Sequence, residues 1–347
     1  MGKTKGMRIG ILTAGGDCPG LNAAIRGVGK TAVLNYGMEV IGISSGFLGL
    51  INKEYVTLRE EDVSGILTLG GTILGTSREK PFKKTSIINS VDKPKLIKKH
   101  YKELELDCIV CIGGNGTMQT AALLSETGLN VVGIPKTIDN DVWGTDLSFG
   151  FTSAVDIATD AIDRLHTTAN SHKRIMVIEL MGHHAGWIAL YAGMAGGGDI
   201  ILIPEIKFNE YIIAEYLEKR AFKEKAYSIV VVAEGIDKPN KVPAGQYIAR
   251  RINELTGLET RETVLGYIQR GGTPSPMDRI LATRFGAFAA GMIAGEEFGN
   301  MVALSKNKLK SVPLKDVAGK LKTVEPDCTL VKKARMMGTN FGDENGN

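Results

Sequence analysis

The sequence predicts an α/β fold in two domains, with parallel sheets covered by helices. Three observations carry this expectation. Short β-branched runs alternate with amphipathic stretches along the chain, the pattern of βαβ units. The apolar runs are continuous, as in strands buried on both faces. The 347 residues exceed what one compact core usually holds.

In chain order, strands are expected at "RIGILT" (8–13), "VIGIS" (40–44), "CIVCIG" (108–113) and "NVVGIP" (130–135), then at "RIMVIEL" (174–180), "ILIPE" (201–205), "SIVVVAEG" (228–235) and "TVLGYI" (263–268). Each is short, rich in Val and Ile, and bounded by Gly or polar residues. Between them, helical patterns cover "LNAAIRGVGKTAVLN" (21–35), "TMQTAALLSE" (117–126), "FTSAVDIATDAIDRLHTTAN" (151–170), "NEYIIAEYLEKRAF" (209–222) and "RILATRFGAFAAGMIAGE" (279–296). A domain boundary is expected near Gly150, with a return of the chain to the first domain near Arg270. The tail "MMGTNFGDENGN" (336–347) reads as loose.

Composition removes several function classes. Hydrophobic residues make up 43% and charged residues 23%, a globular rather than disordered balance. The net charge of +4 is dispersed, and aromatics are only 6%, so no basic, aromatic-interleaved nucleic-acid surface is expected. No segment reaches membrane-spanning length without charge, and the basic N-terminus runs straight into a strand, so a cytoplasmic protein is expected. Four scattered cysteines do not make a disulfide framework. Cys108 and Cys111 form a C-x-x-C inside an apolar run, which favours buried strand positions over a redox pair.

In parallel α/β sheets, ligands sit beyond the carboxyl ends of strands. There the chain places "AGGDCPGLN" after the first strand, "GGNGT" after "CIVCI", "PKTIDND" after "NVVGI", "MGHHAG" after "RIMVIEL" and "EG" after "SIVVVA". The glycine loops open helices, whose N-termini and backbone N–H groups suit phosphate; a plain tight turn is the alternative reading. Neither is a Walker A loop or a spaced-glycine dinucleotide fingerprint. Asp139 and Asp141, two apart, can divide labour between a substrate hydroxyl and a metal, or can cap the next helix. Arg78, Arg174, Arg261 and Arg270 edge apolar segments, suited to phosphate or to surface ion pairs. Adjacent His183 and His184 do not have the spacing of helical zinc ligands.

Together, "GGDCPGLNAAIRG", "GGTILGTSR", "GGNGT", "GIPKTIDND", "SHKRIMVIELMG" and "LGYIQRGGTPSPMDR" resemble the 6-phosphofructokinase family in order and approximate spacing, from about Met7 to Arg279. The resemblance implies two similar doubly wound domains, usually in a homotetramer, and glycolytic transfer of a phosphoryl group to the 1-hydroxyl of fructose 6-phosphate with Mg²⁺. It implies a phosphoryl-donor domain from residues 1–150 and about 270–318, and a sugar-phosphate domain from about 151–269 and 319–347. Asp139 is then the general base with Thr137 beside it. Gly15, Arg78, Glu79, Gly114, Asn115, Gly116 and Thr117 line the donor, and Asn115 and Asp141 lie at the metal. Thr137, Ile138, Met181, Gly182, His183, Glu234, Tyr267 and Arg270 hold the sugar phosphate. Arg174 and Arg261 resemble arginines that reach it from a neighbouring subunit, which makes a dimer or tetramer part of the expectation.

The chain departs from the bacterial ATP enzymes of that family at Asn115, where aspartate is usual, at His183 in place of arginine, and at Tyr267 in place of histidine. Two positions bear on the donor. Lys136 is typical of the pyrophosphate-dependent branch, whereas Gly116 leaves open a passage that an aspartate fills in those relatives. The mixed pattern resembles the mixed-substrate branch of the family. Lysine adds attraction without blocking a nucleotide, so ATP is the expected donor and pyrophosphate the alternative. A sugar-phosphate and nucleotide sensor with weak turnover is the remaining reading from a different class.

Overall fold

Twelve strands form in the order β1 (Arg8–Ala14), β2 (Glu39–Ile43), β3 (Tyr55–Leu58), β4 (Cys108–Gly113), β5 (Val131–Thr137), β6 (Phe149–Gly150), β7 (Ile175–Leu180), β8 (Ile200–Leu202), β9 (Ser228–Ala233), β10 (Thr260–Val264), β11 (Asn300–Ser305) and β12 (Lys308–Pro313) among the described residues. The structure is a computed structural model, and it describes residues 6–83, 92–239 and 241–344. The chain divides into two units. The first takes Met1–Ile138, Val142–Thr152 and Arg270–Leu321; the second takes Asp139–Asp141, Ser153–Gln269 and Lys322–Asn347.

The first unit holds a sheet ordered β12-β11-β5-β4-β1-β2-β3, with β6 paired to β5. Its interior strands run parallel, and β3 and β12 close the edges antiparallel. Register aligns Ala14 with Gly113 and Gly113 with Pro135. The three motif loops that follow β1, β4 and β5 therefore start side by side at one end of the sheet. One apolar layer packs Ile97, Met118 and Ala121 from two helices against Leu12, Ile43, Ile109 and Cys111. Elsewhere in the unit, helices Leu21–Tyr36 and Pro276–Ala294 approach so closely that a Cβ at Gly286 would lie 2.5 Å from the Ala24 carbonyl oxygen and one at Gly27 2.7 Å from that of Thr283. Only glycine permits that approach. Cys108 and Cys111 are both buried in β4 as free thiols. Three positions apart on a strand, they face opposite sides of the sheet, and burial pushes both thiols up.

The second unit holds an all-parallel sheet ordered β10-β7-β9-β8. Its register sets Leu180 beside Ala233 and Glu179 beside Val264, so the loops after β7, β9 and β10 also share one end. Ile213 and Leu217 from helix Glu210–Phe222 and Ile248 and Ile252 from helix Ala244–Thr256 cover the buried Val177, Val230 and Val232.

Three expectations change. The strand read at 263–268 lies at Thr260–Val264, and the chain then turns at Gly266 (φ +53°) into a 3₁₀ helix, Gly266–Arg270. As an edge strand it exposes Arg261 and Glu262, so its true span lacks an apolar run. The strand read at 201–205 stops at Leu202, before Pro204. The described part of the tail, residues 336–344, is docked rather than loose, and residues 345–347 lie outside the described residues. The Asn340 carbonyl accepts from the Ile201 N–H (2.9 Å), Phe341 is buried, and Arg335 grips Asp343 through two bonds of 2.7 and 2.8 Å.

Candidate active site

The glycine loop after β1 is pinned to the segment that carries Arg78. Gly15, at φ +85°, donates its N–H to the Ser77 carbonyl at 2.9 Å, and its own carbonyl accepts from the Thr76 hydroxyl at 2.7 Å. Arg78 itself is exposed, while Glu79 pairs with Lys93 at 2.8 Å. After β4, Gly114 stands as the N-cap and Asn115 opens helix Asn115–Glu126, whose free N–H groups and positive dipole end face the same edge. Thr117 is buried, with its hydroxyl 3.4 Å from the Ala14 carbonyl. A Cβ added at Gly116 would meet nothing within 4 Å. The space immediately beside this position is open.

Lys136 and Arg270 bring positive charge to the same loop. The Lys136 ammonium, on a residue only 3% exposed, donates to the Gly16 carbonyl and lies 4.0 Å from where a Gly15 Cβ would stand. Arg270 donates to the Asp17 carbonyl at 3.0 Å, and a Cβ at Gly16 would lie 2.7 Å from its guanidinium nitrogen. The absent Gly16 side chain is thus the space the guanidinium occupies. Burial pushes the neighbouring Cys18 thiol up to about 12, although Lys136 and Arg270 pull the other way. Cys18 is therefore a buried neutral group rather than a nucleophile.

The carboxylate loop has a defined backbone. Thr137 ends β5 and Ile138 is fully buried. Asn140 then takes a left-handed conformation (φ +50°) between Asp139 and Asp141, which asparagine tolerates better than most residues. Asp139 is partly buried, and Asp141 is 8% exposed. The Asp141 carbonyl accepts from the Lys322 N–H at 2.9 Å, and the Asn140 side chain accepts from the Lys322 ammonium at 2.9 Å.

In the second unit, Met181 and Gly182 follow β7 beside Glu234 and Gly235, which follow β9. The Glu234 N–H bonds the Leu180 carbonyl at 2.8 Å, and that of Gly235 bonds Gly182 at 3.2 Å. Gly182 sits at φ +136°, and a Cβ on Gly235 would be 2.0 Å from the His183 carbonyl. The two turns therefore interlock, with the exposed His183 and His184 rings stacked edge to face. Tyr267 is 73% exposed on the following 3₁₀ turn. Gln269 from that turn is fully buried and accepts the Met181 N–H at 2.8 Å, a positioning role that the "IQR" motif did not reveal. Glu205 was also missed. It accepts from the N–H groups of Gly186 (3.0 and 3.1 Å) and Val324 (2.8 Å), and burial holds its carboxyl above the usual range. Arg174 and Arg261 both bond Glu259, at 2.9 and 2.8 Å, so within one chain they sit together on one carboxylate.

Of the predicted residues, the first unit gathers Gly15, Gly114, Asn115, Gly116, Thr117, Lys136, Thr137 and Arg270. The second gathers Met181, Gly182, His183, Glu234 and Tyr267, and Asp139 and Asp141 belong to it as well. No cluster of three or more His, Cys, Asp or Glu able to hold a metal occurs among the described residues. A hard divalent ion that takes most of its oxygens from phosphates and water needs only one or two protein ligands, and an amide oxygen such as that of Asn115 or a carboxylate such as that of Asp141 has the chemistry to be one. No helix among the described residues is long and apolar enough to cross a membrane.

Glycine loops and a helix N-terminus gathered at one sheet end have the chemistry that suits phosphate, and β5 runs on into a pair of aspartates, the parts a phosphoryl-transfer class of site requires. The family model for phosphofructokinase matches residues 8–293, and the chain belongs to that family. It is 62% identical to ATP-dependent 6-phosphofructokinase 3 of Bacteroides thetaiotaomicron, covering 97% of this chain and all of the relative. It is 58% identical to ATP-dependent 6-phosphofructokinase of Spirochaeta thermophila, covering 96% of this chain and 97% of the relative. Among solved structures, phosphofructokinase of Pichia pastoris in the T-state superposes with a TM-score of 0.82 at 32% identity. That match covers 91% of this chain but only 35% of the longer yeast chain. The expected α/β phosphofructokinase fold is the one found.

Proposed function

We infer that this protein transfers the terminal phosphoryl group of ATP to the 1-hydroxyl of fructose 6-phosphate, giving fructose 1,6-bisphosphate in glycolysis. The observation that carries the reading is the common end of β1, β4 and β5. There two glycine loops and a helix N-terminus meet Lys136 and the chain leading to Asp139. Curated relatives named as ATP-dependent enzymes over nearly the full length support ATP as the donor, and the open space at Gly116 admits the α-phosphate side of a nucleotide.

In this reading the backbone N–H groups around Gly15 and Gly114–Thr117 hold the donor phosphates, with Arg78 closing over them. The Lys136 ammonium stands beside the transferring and leaving oxygens, where developing charge needs a fixed cation. Asp139 accepts the hydroxyl proton as the sugar oxygen attacks in line, and Thr137 orients the phosphoryl group. Met181, Gly182, His183, Glu234, Tyr267 and Arg270 hold the sugar phosphate in register, since in-line transfer demands chiefly positioning. Mg²⁺, when bound through Asn115 and Asp141, supplies neutralisation of phosphate charge. Arg174 and Arg261 serve the sugar phosphate of a neighbouring copy, so the working form is a homo-oligomer, a dimer or tetramer, in the cytoplasm.

A side-by-side assay with fructose 6-phosphate and Mg²⁺ tests the donor. ATP is expected to support rapid fructose 1,6-bisphosphate formation and pyrophosphate little. Faster turnover with pyrophosphate would reverse the donor assignment, and no product with either would remove the enzyme reading.

A further inference from the structure

We propose that Lys322 is a positioning residue for the Asp139–Asp141 loop, fixing the carboxylates from the C-terminal segment; this rests on the phosphoryl-transfer reading above. Asp139–Asp141 belong to the second unit, whereas Ile138 before them and Val142 after them belong to the first. Lys322 belongs to the same second unit. It grips the loop twice, through its ammonium on the Asn140 side-chain oxygen (2.9 Å) and through its N–H on the Asp141 carbonyl (2.9 Å). One residue earlier, Leu321 bridges antiparallel to Val142.

The grip falls on the residue that sets the loop's shape. Asn140 is 4% exposed and left-handed, a conformation that persists only where its surroundings hold it. Its φ determines how the backbone turns between Asp139 and Asp141, hence where both carboxylates point. A charge-assisted bond onto its amide oxygen is among the stronger ways to hold it.

Lys322 is itself anchored. Its carbonyl accepts from the Trp187 indole N–H at 3.0 Å, and its ammonium lies 5.9 Å from the centroid of the same ring. Two residues on, Val324 is buried and donates its N–H to Glu205 at 2.8 Å. Glu205 also holds Gly186, in the loop that carries Met181, Gly182 and His183. Lys322, 182 positions in sequence from Asn140, thus lies in a C-terminal segment that links the aspartate loop to the turns proposed to hold the sugar.

The test uses Lys322→Met, which keeps the stem and both backbone bonds and removes only the ammonium. The full-length variant is expected to lose kcat by about 10- to 100-fold, the cost of a misplaced reacting group, with both KM values within about twofold of wild type. Lys322→Arg restores most of the rate. Asn140→Ala lowers kcat similarly, and the double variant is no worse than the worse single one, as two ends of one interaction require. Hydrogen exchange of the peptide spanning residues 137–142, which needs no turnover, rises in Lys322→Met. Unchanged kcat, additive losses or unchanged exchange overturn the inference. A wild type without turnover sinks the phosphoryl-transfer reading, and exchange alone then decides the role of Lys322.

Discussion

Gly116→Asp tests how the loop admits its donor. Gly116 is the second residue of helix Asn115–Glu126, and a Cβ there meets nothing within 4 Å, so the side chain fits without repacking. Near a helix N-terminus a carboxylate is stabilising by about 0.3–1 kcal/mol, and replacing glycine in a helix adds to that. The variant should therefore melt no lower than wild type. Bound phosphate reverses the sign. One like charge at roughly 5 Å costs about 1–3 kcal/mol at an effective dielectric constant between 80 and 20, a rise in KM for ATP of about 5- to 200-fold. Steady-state kinetics with ATP varied at saturating fructose 6-phosphate reads this directly, with KM for the sugar as control. Gly116→Ala separates size from charge and should change KM for ATP far less. An unchanged KM for ATP in Gly116→Asp, or a fall in melting temperature that accompanies the loss, refutes the reasoning.

Phe341→Ala should cost about 3–5 kcal/mol of stability, the usual price of emptying a buried aromatic site, because Phe341 is 1% exposed; urea unfolding near wild-type values would mean that the tail does not hold the second unit. Gly286→Ala should destabilise by about 1–3 kcal/mol through overpacking, since the new methyl group meets the Ala24 carbonyl at 2.5 Å; wild-type stability in that variant contradicts the packing of helices Leu21–Tyr36 and Pro276–Ala294. Glu205 gives a pH signature. Burial raises its folded-state pKa, so the native state keeps this proton to higher pH than the unfolded chain does. Its contribution is full below the ordinary glutamate value of about 4.3 and declines as pH rises through the raised value. Relative to Glu205→Gln, wild type should lose unfolding free energy as pH rises above the ordinary glutamate value of about 4.3, and a relative gain with rising pH contradicts the assignment.

The parts of the site that follow buried strands were legible because a parallel sheet gathers its loops at one end. The continuous runs at β1, β4 and β5 announced their spans, and the motifs after them met where the register brought Ala14, Gly113 and Pro135 together. Edge strands were less legible. "KLKSVP" in β12 interleaves polar residues, and "YVTL" in β3 is only four residues long with Tyr55, Val56 and Thr57 exposed, so neither gives the long apolar run of a strand buried on both faces. The same reason displaced β10, whose exposed Arg261 and Glu262 hid its start. The tail was misread because its anchors are single residues, Asn340, Phe341 and Asp343, without periodicity. Lys322, Gln269 and Glu205 act through bonds to residues far away in sequence, and no local pattern marks such a partner.

Asp139→Asn measures the central claim most directly. The substitution keeps size and hydrogen-bonding capacity and removes the proton acceptor, so fructose 1,6-bisphosphate formation from ATP should fall by about 10²- to 10⁴-fold while calorimetric binding of fructose 6-phosphate stays near the wild-type value. Turnover close to wild type in that variant would show that the carboxylate at the end of β5 is not the base.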